Sequence, residues 1–281
     1  MVYKILLVGF TTRISIAIKT NLSVKTLIGL MMLFLANNSA YACKKESYTI
    51  GVQAIDYSPH YNFVDDSRAS YFTEYVAWLN KHHPCQFKVV SLPIKRLNYF
   101  FEEGKIDFIY PDNPNWHDQV TANSRIYSQP LVTALGGTVV SLLDEYIELT
   151  NFKRLAFPRG FTPIAWLPLQ AEHLIEFSET NSAKAALLMV QAGRAQGADV
   201  EWNVANYLIS QHSLEPMALG KNLPFTPTAF HIATLEHKRR LTEINQLMHN
   251  NREQLEALKR QLNIQESIKT NSLSVKSPTD K

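Results

Sequence analysis

Charge is scarce in this chain, and an excess of one sign is missing from most of it. Only 19% of the 281 residues are Asp, Glu, Lys or Arg, against 46% hydrophobic, which excludes a disordered or fibrous protein and leaves enough apolar mass for a sizeable core. Acid is absent from the first 42 residues, where Lys4, Arg13, Lys19 and Lys25 stand alone. Those four cations turn the net charge of +3 into −1 for everything that follows them, and no basic run exceeds Lys238, Arg239 and Arg240. A nucleic-acid surface needs clustered cations, so nucleic acid is excluded as a partner. There is no Gly-x-Ser-x-Gly elbow and no glycine loop of the Walker or dinucleotide kind. His82 and His83 lie beside Cys85, but no third ligand follows at zinc-like spacing. The expectation is a protein without metal, cofactor or catalytic residue.

Long hydrophobic runs are missing as well. The apolar stretch Leu27 to Ala36 covers ten residues, whereas a bilayer core takes roughly 20. Preceded by a basic, acid-free region and followed by Ala40-Tyr41-Ala42, it reads as a secretory signal peptide over residues 1–42. The mature chain is then exported and, in a bacterium, periplasmic.

Cysteine occurs twice, at Cys43 and Cys85. Each precedes an apparent strand, Tyr48 to Ala54 and Phe87 to Leu92. If those strands are parallel neighbours, about 4.8 Å apart, their starts come within disulfide reach. The alternative is lipidation of Cys43 as the first mature residue, against which Ala40-Tyr41-Ala42-Cys43 lacks the Leu that usually opens a lipobox.

Strands and helices alternate through the mature chain, so an α/β architecture with largely parallel sheets is expected. A helix is expected over Ser70 to His82, with Tyr71, Tyr75, Trp78 and Leu79 on one face, and another over Ile94 to Glu103, stopped by Gly104. A strand at Ile106 to Tyr110 runs into a loop, Pro111 to Trp116, whose two prolines oppose a helix. Leu155 to Pro158 and Ala198 to Trp202 read as short strands, Thr162-Pro163 as a helix start, Ser182 to Ala192 and Val204 to Ser210 as helices. Thr228 to Thr234 is a last strand before helices at Glu236 to Asn250 and Arg252 to Asn263. Residues 265–281, polar and without apolar period, read as a disordered tail.

Four segments, in order, resemble the family 3 bacterial extracellular solute-binding proteins, the periplasmic polar-amino-acid-binding components of ABC uptake systems. They are Tyr48 to Phe63; Leu92 to Leu97 with Gly104 to Asp107; Tyr127-Ser128-Gln129-Pro130-Leu131; and Gly193-Arg194-Ala195-Gln196-Gly197-Ala198 followed by Glu201. The resemblance implies a type II periplasmic-binding-protein fold of two lobes, each a mostly parallel sheet flanked by helices. Lobe 1 is discontinuous, 43–129 plus 225–264; lobe 2 is 130–224; crossovers fall near Ser128 to Val132 and Gly220 to Pro227. It further implies a monomer that traps a small polar solute and presents it to an ABC permease. The same fold also serves membrane sensors, dehydratases of cyclic acids and accessory domains of cell-wall lytic enzymes, so those readings stay open.

Ligands of open α/β sheets sit outside the carboxyl ends of the strands, which directs attention to the loops after Ala54, Tyr110, Pro158 and Val200. Candidate ligand-binding residues there are Tyr57, Tyr61, Asp112, Asn113, Trp116, Arg159, Thr162, Glu201 and Trp202. Glu201 stands where the family has the acid that receives a ligand amino group, and Thr162 in its anion loop, with Phe161 replacing the other Thr. The family's carboxylate-clamping Arg is lacking: residues 107–123 hold no Arg or Lys. With Asp112, Asp118 and Glu201 beside Tyr57, Trp116 and Trp202, the expected ligand carries an amine, unless Arg159 or Arg96 reverses the local sign. The plainer alternatives are turn chemistry for Asp112 and Asn113, a helix cap for Glu201, and surface packing for the tyrosines.

Overall fold

The computed structural model describes residues 43, 45–64, 69–172 and 174–268. The signal-peptide reading and most of the tail lie outside these residues. Among the described residues there are twelve strands: β1 Ser47–Gln53, β2 Asp56–Tyr57, β3 Tyr61–Asn62, β4 Gln86–Leu92, β5 Phe108–Asp112, β6 Ile126–Tyr127, β7 Val132–Ser141, β8 Arg154–Pro158, β9 Glu176–Thr180, β10 Gly197–Glu201, β11 Met217–Leu219 and β12 Phe225–Thr234. The α-helices are α1 Tyr71–His82, α2 Ile94–Glu102, α3 Gln119–Ser124, α4 Leu167–Glu172, α5 Ala183–Gln191, α6 Trp202–His212, α7 Lys238–Asn250 and α8 Arg252–Gln261.

Strand order is β4-β1-β5-β12-β7-β10-β8-β9, with β6 on β12 and β11 on β7. One half is built on parallel β4, β1 and β5, the other on parallel β10, β8 and β9. Between them β7 and β12 pair antiparallel from Phe225↔Gly137 to Phe230↔Val132, and β12 then passes onto β5 at His231↔Asp112. Strands β7 and β12 form one two-stranded ribbon between the halves, in which the backbone groups of each strand satisfy those of the other. This is a two-lobed α/β fold.

Local chemistry explains most element boundaries. Ser70 caps α1 with Thr73 closing a reciprocal capping box, and Tyr71, Phe72, Tyr75, Val76 and Leu79 turn inward at helical spacing. Phe72 stacks on Tyr110 of β5 with ring centroids 3.6 Å apart, so helix and sheet share one aromatic core. Gly104 follows α2 with φ 64°, a conformation open to glycine at little cost. Ser182 caps α5 through the Ala185 amide.

Three expectations change. The strand expected to end at Tyr110 continues through Pro111 and Asp112, beyond which Pro114–Trp116 forms a single 3₁₀ turn. That strand tolerates proline because its partner β12 shifts register between His231 and Ala233, leaving no ladder bond for Pro111 to donate. Thr162 does not cap a helix, because a 3₁₀ turn at Ile164–Trp166 with Pro163 as its cap intervenes before the short α4. Residues 265–268, expected to begin a tail, are docked: Gln265 N donates to Asn203 Oδ1 at 2.8 Å and Glu266 Oε1 accepts from Thr133 N at 2.6 Å. Cys43 and Cys85 are joined, with Cα atoms 5.5 Å apart, which leaves no thiol at Cys43 for lipidation.

Candidate functional site

A cleft of ≈ 800 Å³ opens where four strand ends meet. Gln53 closes β1, Pro111 and Asp112 end β5 with Asn113 to His117 after them, Gly160 to Thr162 follow β8, and Asp199 and Glu201 lie on β10; all line it. Gly136 and Gly137 of the ribbon, with Thr226 to His231 of β12, form its floor. These are the loops and strand ends at which the sequence pointed.

The first wall is aromatic. Tyr57 and Tyr61 belong to the hairpin β2-β3, and Tyr61 is pinned by donating its hydroxyl to Gln53 Oε1 at 2.8 Å. Tyr57 stacks on Phe161 of the opposite lobe, rings 5.3 Å apart and 13° from parallel. Burial, and then the charges of Glu201 and Asp199, push the Tyr57 phenol well above its usual range, so it stays a donor. Gly160, at φ 88°, makes the turn that presents Phe161. Trp116, 38% exposed, meets Phe230 edge to face at 5.7 Å across the mouth.

The acids divide into those already occupied and one that is not. Asp112 lines the cleft, but its Oδ2 takes the Arg125 guanidinium at 2.7 Å, and its Oδ1 is 2.6 Å from His117 Nε2. Oδ1 also accepts from the Asn113 amide, while Asn113 accepts from Asn115 N and donates to Ala229 O. The turn-chemistry alternative describes Asn113, whereas Asp112 is held chiefly by Arg125 and His117. Arg125 itself is buried over the Phe101 ring and is not among the residues that line the cleft. Asp118 caps α3 outside the cleft.

Glu201 is similarly engaged. Its Oε1 accepts from Leu135 N and Asn203 Nδ2, and its Oε2 from Val204 N, capping α6. His60, fully buried, brings Nε2 to 3.0 Å of Oε2, although the approach is off the line of a hydrogen bond. Burial alone would raise the Glu201 carboxyl; the charge of His60 and these donors outweigh it and hold it low. The contact crosses from the first loop of lobe 1 to lobe 2.

Asp199 was not singled out in the sequence, yet period-two alternation puts it on the face of Glu201. Its cross-strand neighbour is Thr138, whose hydroxyl already serves Trp166 Nε1 and Pro224 O. No hydrogen-bond or ion-pair partner for its carboxyl is present among the described residues. Desolvation raises that carboxyl to about 7.

Two candidates stand away from the cleft. Arg159 lies on the surface, paired with Glu179 Oε1 at 2.7 Å, because the turn at Gly160 sends it outward. Trp202 begins α6 and packs its ring against the core instead of the cavity. Thr162 does line the cleft, but beside a 3₁₀ turn and not a helix N-terminus. Among the described residues, neither lysine nor arginine lines the cleft.

No family model and no curated protein matches the chain, whereas solved structures do. The Bordetella pertussis BvgS VFT2 domain (double mutant) matches at TM-score 0.61 and 15% identity, covering 82% of this chain and 96% of its own. A histidine kinase sensor domain with similarity to periplasmic binding proteins matches at 0.63 and 14%, covering 78% and 96%. An ancestral arginine-binding protein bound to arginine matches at 0.62 and 12%, covering 78% and 99%. At such identities the likeness speaks for fold, and the fold is the two-lobed α/β architecture of periplasmic binding proteins.

Proposed function

We propose that this protein is an exported, non-catalytic receptor that closes its two lobes on a small polar ligand bearing an amine or another cationic group. The observation that carries the reading is the cleft's charge: among the described residues no lysine or arginine lines it, and the one lining carboxylate without a partner, Asp199, shares the cleft with the aromatic rings of Tyr57, Phe161 and Trp116. Among these described residues a ligand carboxylate would find no cation to pair with, whereas a cation gains both an anion and ring faces, the latter worth roughly 0.5–2 kcal/mol. The Cys43–Cys85 bridge agrees with an oxidising compartment. Ligand bridging both lobes favours the closed arrangement and so shifts the hinge equilibrium. Delivery to an ABC permease is the reading taken from the family resemblance, and a membrane sensor is the alternative receiver.

Thermal-shift screening of a mixed metabolite library tests the ligand class, since binding to the folded state raises the melting temperature. Amines and guanidinium compounds are expected to stabilise the protein and to contract it in solution scattering. Hits confined to dicarboxylates or neutral sugars would sink the cationic reading, and turnover of a cyclic acid or peptidoglycan fragment would sink the non-catalytic one.

A further inference from the structure

The acid at the position where the resembled family receives an amino group is spent on structure here. Glu201 serves three donors and His60, and none of its lone pairs is left for a ligand without breaking the α6 cap. Asp112 is likewise held by Arg125 and His117. Two residues before Glu201 on the same strand, Asp199 faces the cavity with no partner of its own among the described residues.

We infer that Asp199 is the anionic anchor of the cleft and that it works by exchange: a ligand cation enters as the Asp199 carboxyl releases its proton to solvent. The inference rests on the cationic reading proposed above and adds a residue and a regulation to it. The step balances in charge, because a neutral acid and a cation become an ion pair and one free proton.

The surroundings determine why exchange is needed. Among the described residues, the other titratable groups lining the cleft are Tyr57 and Tyr61 from the hairpin, Asp112 at the end of β5 and His117 after it, His231 on β12 and Glu201 on β10. Tyr57 keeps its proton, His117 is engaged with Asp112, and His231 Nδ1 lies 2.7 Å from Ser128 O. Among the described residues, therefore, no fixed cation compensates Asp199, and desolvation raises its carboxyl to about 7. A bound cation supplies the missing charge. Capture then strengthens as pH rises toward 7 and levels off above it, with ligand held less tightly in acid.

The test uses the full mature chain and the tightest binder among choline, agmatine and putrescine, each cationic over the range used. Calorimetry at pH 5.5, 7.0 and 8.5 is expected to show affinity rising about 30-fold from the lowest to the highest pH. Buffers of different ionisation enthalpy should report about one proton released below pH 7. Asp199→Asn should bind at least 10-fold more weakly at pH 8.5 and lose the pH dependence, with circular dichroism confirming its fold. Carbon-detected titration of the ligand-free protein supplies a second readout, expected to place the Asp199 carboxyl near neutrality. Pure cation binding that is flat with pH and unchanged in Asp199→Asn overturns the anchor while leaving the cationic receptor in place. Failure of every cation at pH 8.5, with a dicarboxylate or sugar binding instead, overturns both.

Discussion

Asp199 and Glu201 are two residues apart on one strand and share one face, yet their carboxyls titrate in opposite directions. Glu201 has His60 and three donors; Asp199 has none among the described residues, and desolvation acts on it alone. The stability consequences have opposite signs. For Asp199 the folded value exceeds the ordinary 3.8, so the contribution present below that value is lost as pH climbs to about 7. Asp199→Asn is therefore expected to stabilise the ligand-free protein at pH 8 by about 3 kcal/mol, with the gap closing toward pH 4, as denaturant titrations at the two pH values would show. For Glu201 the folded value is depressed below 4.5, so its contribution is present above that pH and lost as pH falls through the folded value. Glu201→Gln is expected to cost about 3 kcal/mol at pH 7 and progressively less in acid, since it breaks a buried pair and a helix cap together. An unchanged denaturation midpoint in that variant would contradict the structural assignment of Glu201.

At the scale of elements, what could be read from sequence is what local chemistry decides. Helices α1, α2, α5, α7 and α8 fall within a few residues of their expected bounds because caps, a stopping glycine or an apolar stripe mark them. Ser182→Ala, which removes the Ala185 N–H acceptor at the head of α5, should cost about 1 kcal/mol in chemical denaturation. Strand β9, Glu-Phe-Ser-Glu-Thr, was not expected, because an edge strand with one apolar residue carries no pattern of burial; its pairing with β8 makes it a strand. The hairpin β2-β3 and helix α3 escaped for a similar reason, being short and held by Tyr57-Tyr61 stacking and the Asp118 cap. The cleft's outline was legible, since strand ends define it. Its charge was not: that Asp112 is consumed by Arg125 depends on a contact thirteen residues apart in sequence, and that Arg159 points outward depends on a single turn. Asp199 was within reach, because alternation along Gly197–Glu201 places it beside Glu201.

Over the whole molecule, three ties hold the chain about the ribbon. The first is covalent: the Cys43–Cys85 bridge spans 42 residues and fixes the starts of β1 and β4, and replacing both cysteines by serine should cost about 4 kcal/mol on the chain-entropy account. The second is Asp107, where burial's upward push is outweighed by hydrogen bonds from Lys45, Thr49 and His237, so that residues from two distant parts of the chain meet on one carboxylate. The third is the chain's own C-terminal segment. Helix α8 docks on α1 through Trp78 Nε1 and Gln254 Oε1, and the residues after it reach across to Asn203 at the head of α6 in lobe 2. Glu266 completes the span, accepting from Thr133 at the start of β7 and pairing with Lys259 at 2.8 Å. If the lobes open and close as proposed, a segment that grips both halves and the ribbon at once would resist the hinge rotation, because opening would break those bonds without replacing them inside the protein. Glu266→Ala removes the ribbon contact and leaves Thr133 N–H unpaired while touching no cleft residue. The expected outcome is a larger radius of gyration in the ligand-free protein, restored by saturating cation, together with a stability loss of about 1–3 kcal/mol. A variant destabilised by that amount yet unchanged in radius would show that the segment supports the fold without governing the hinge.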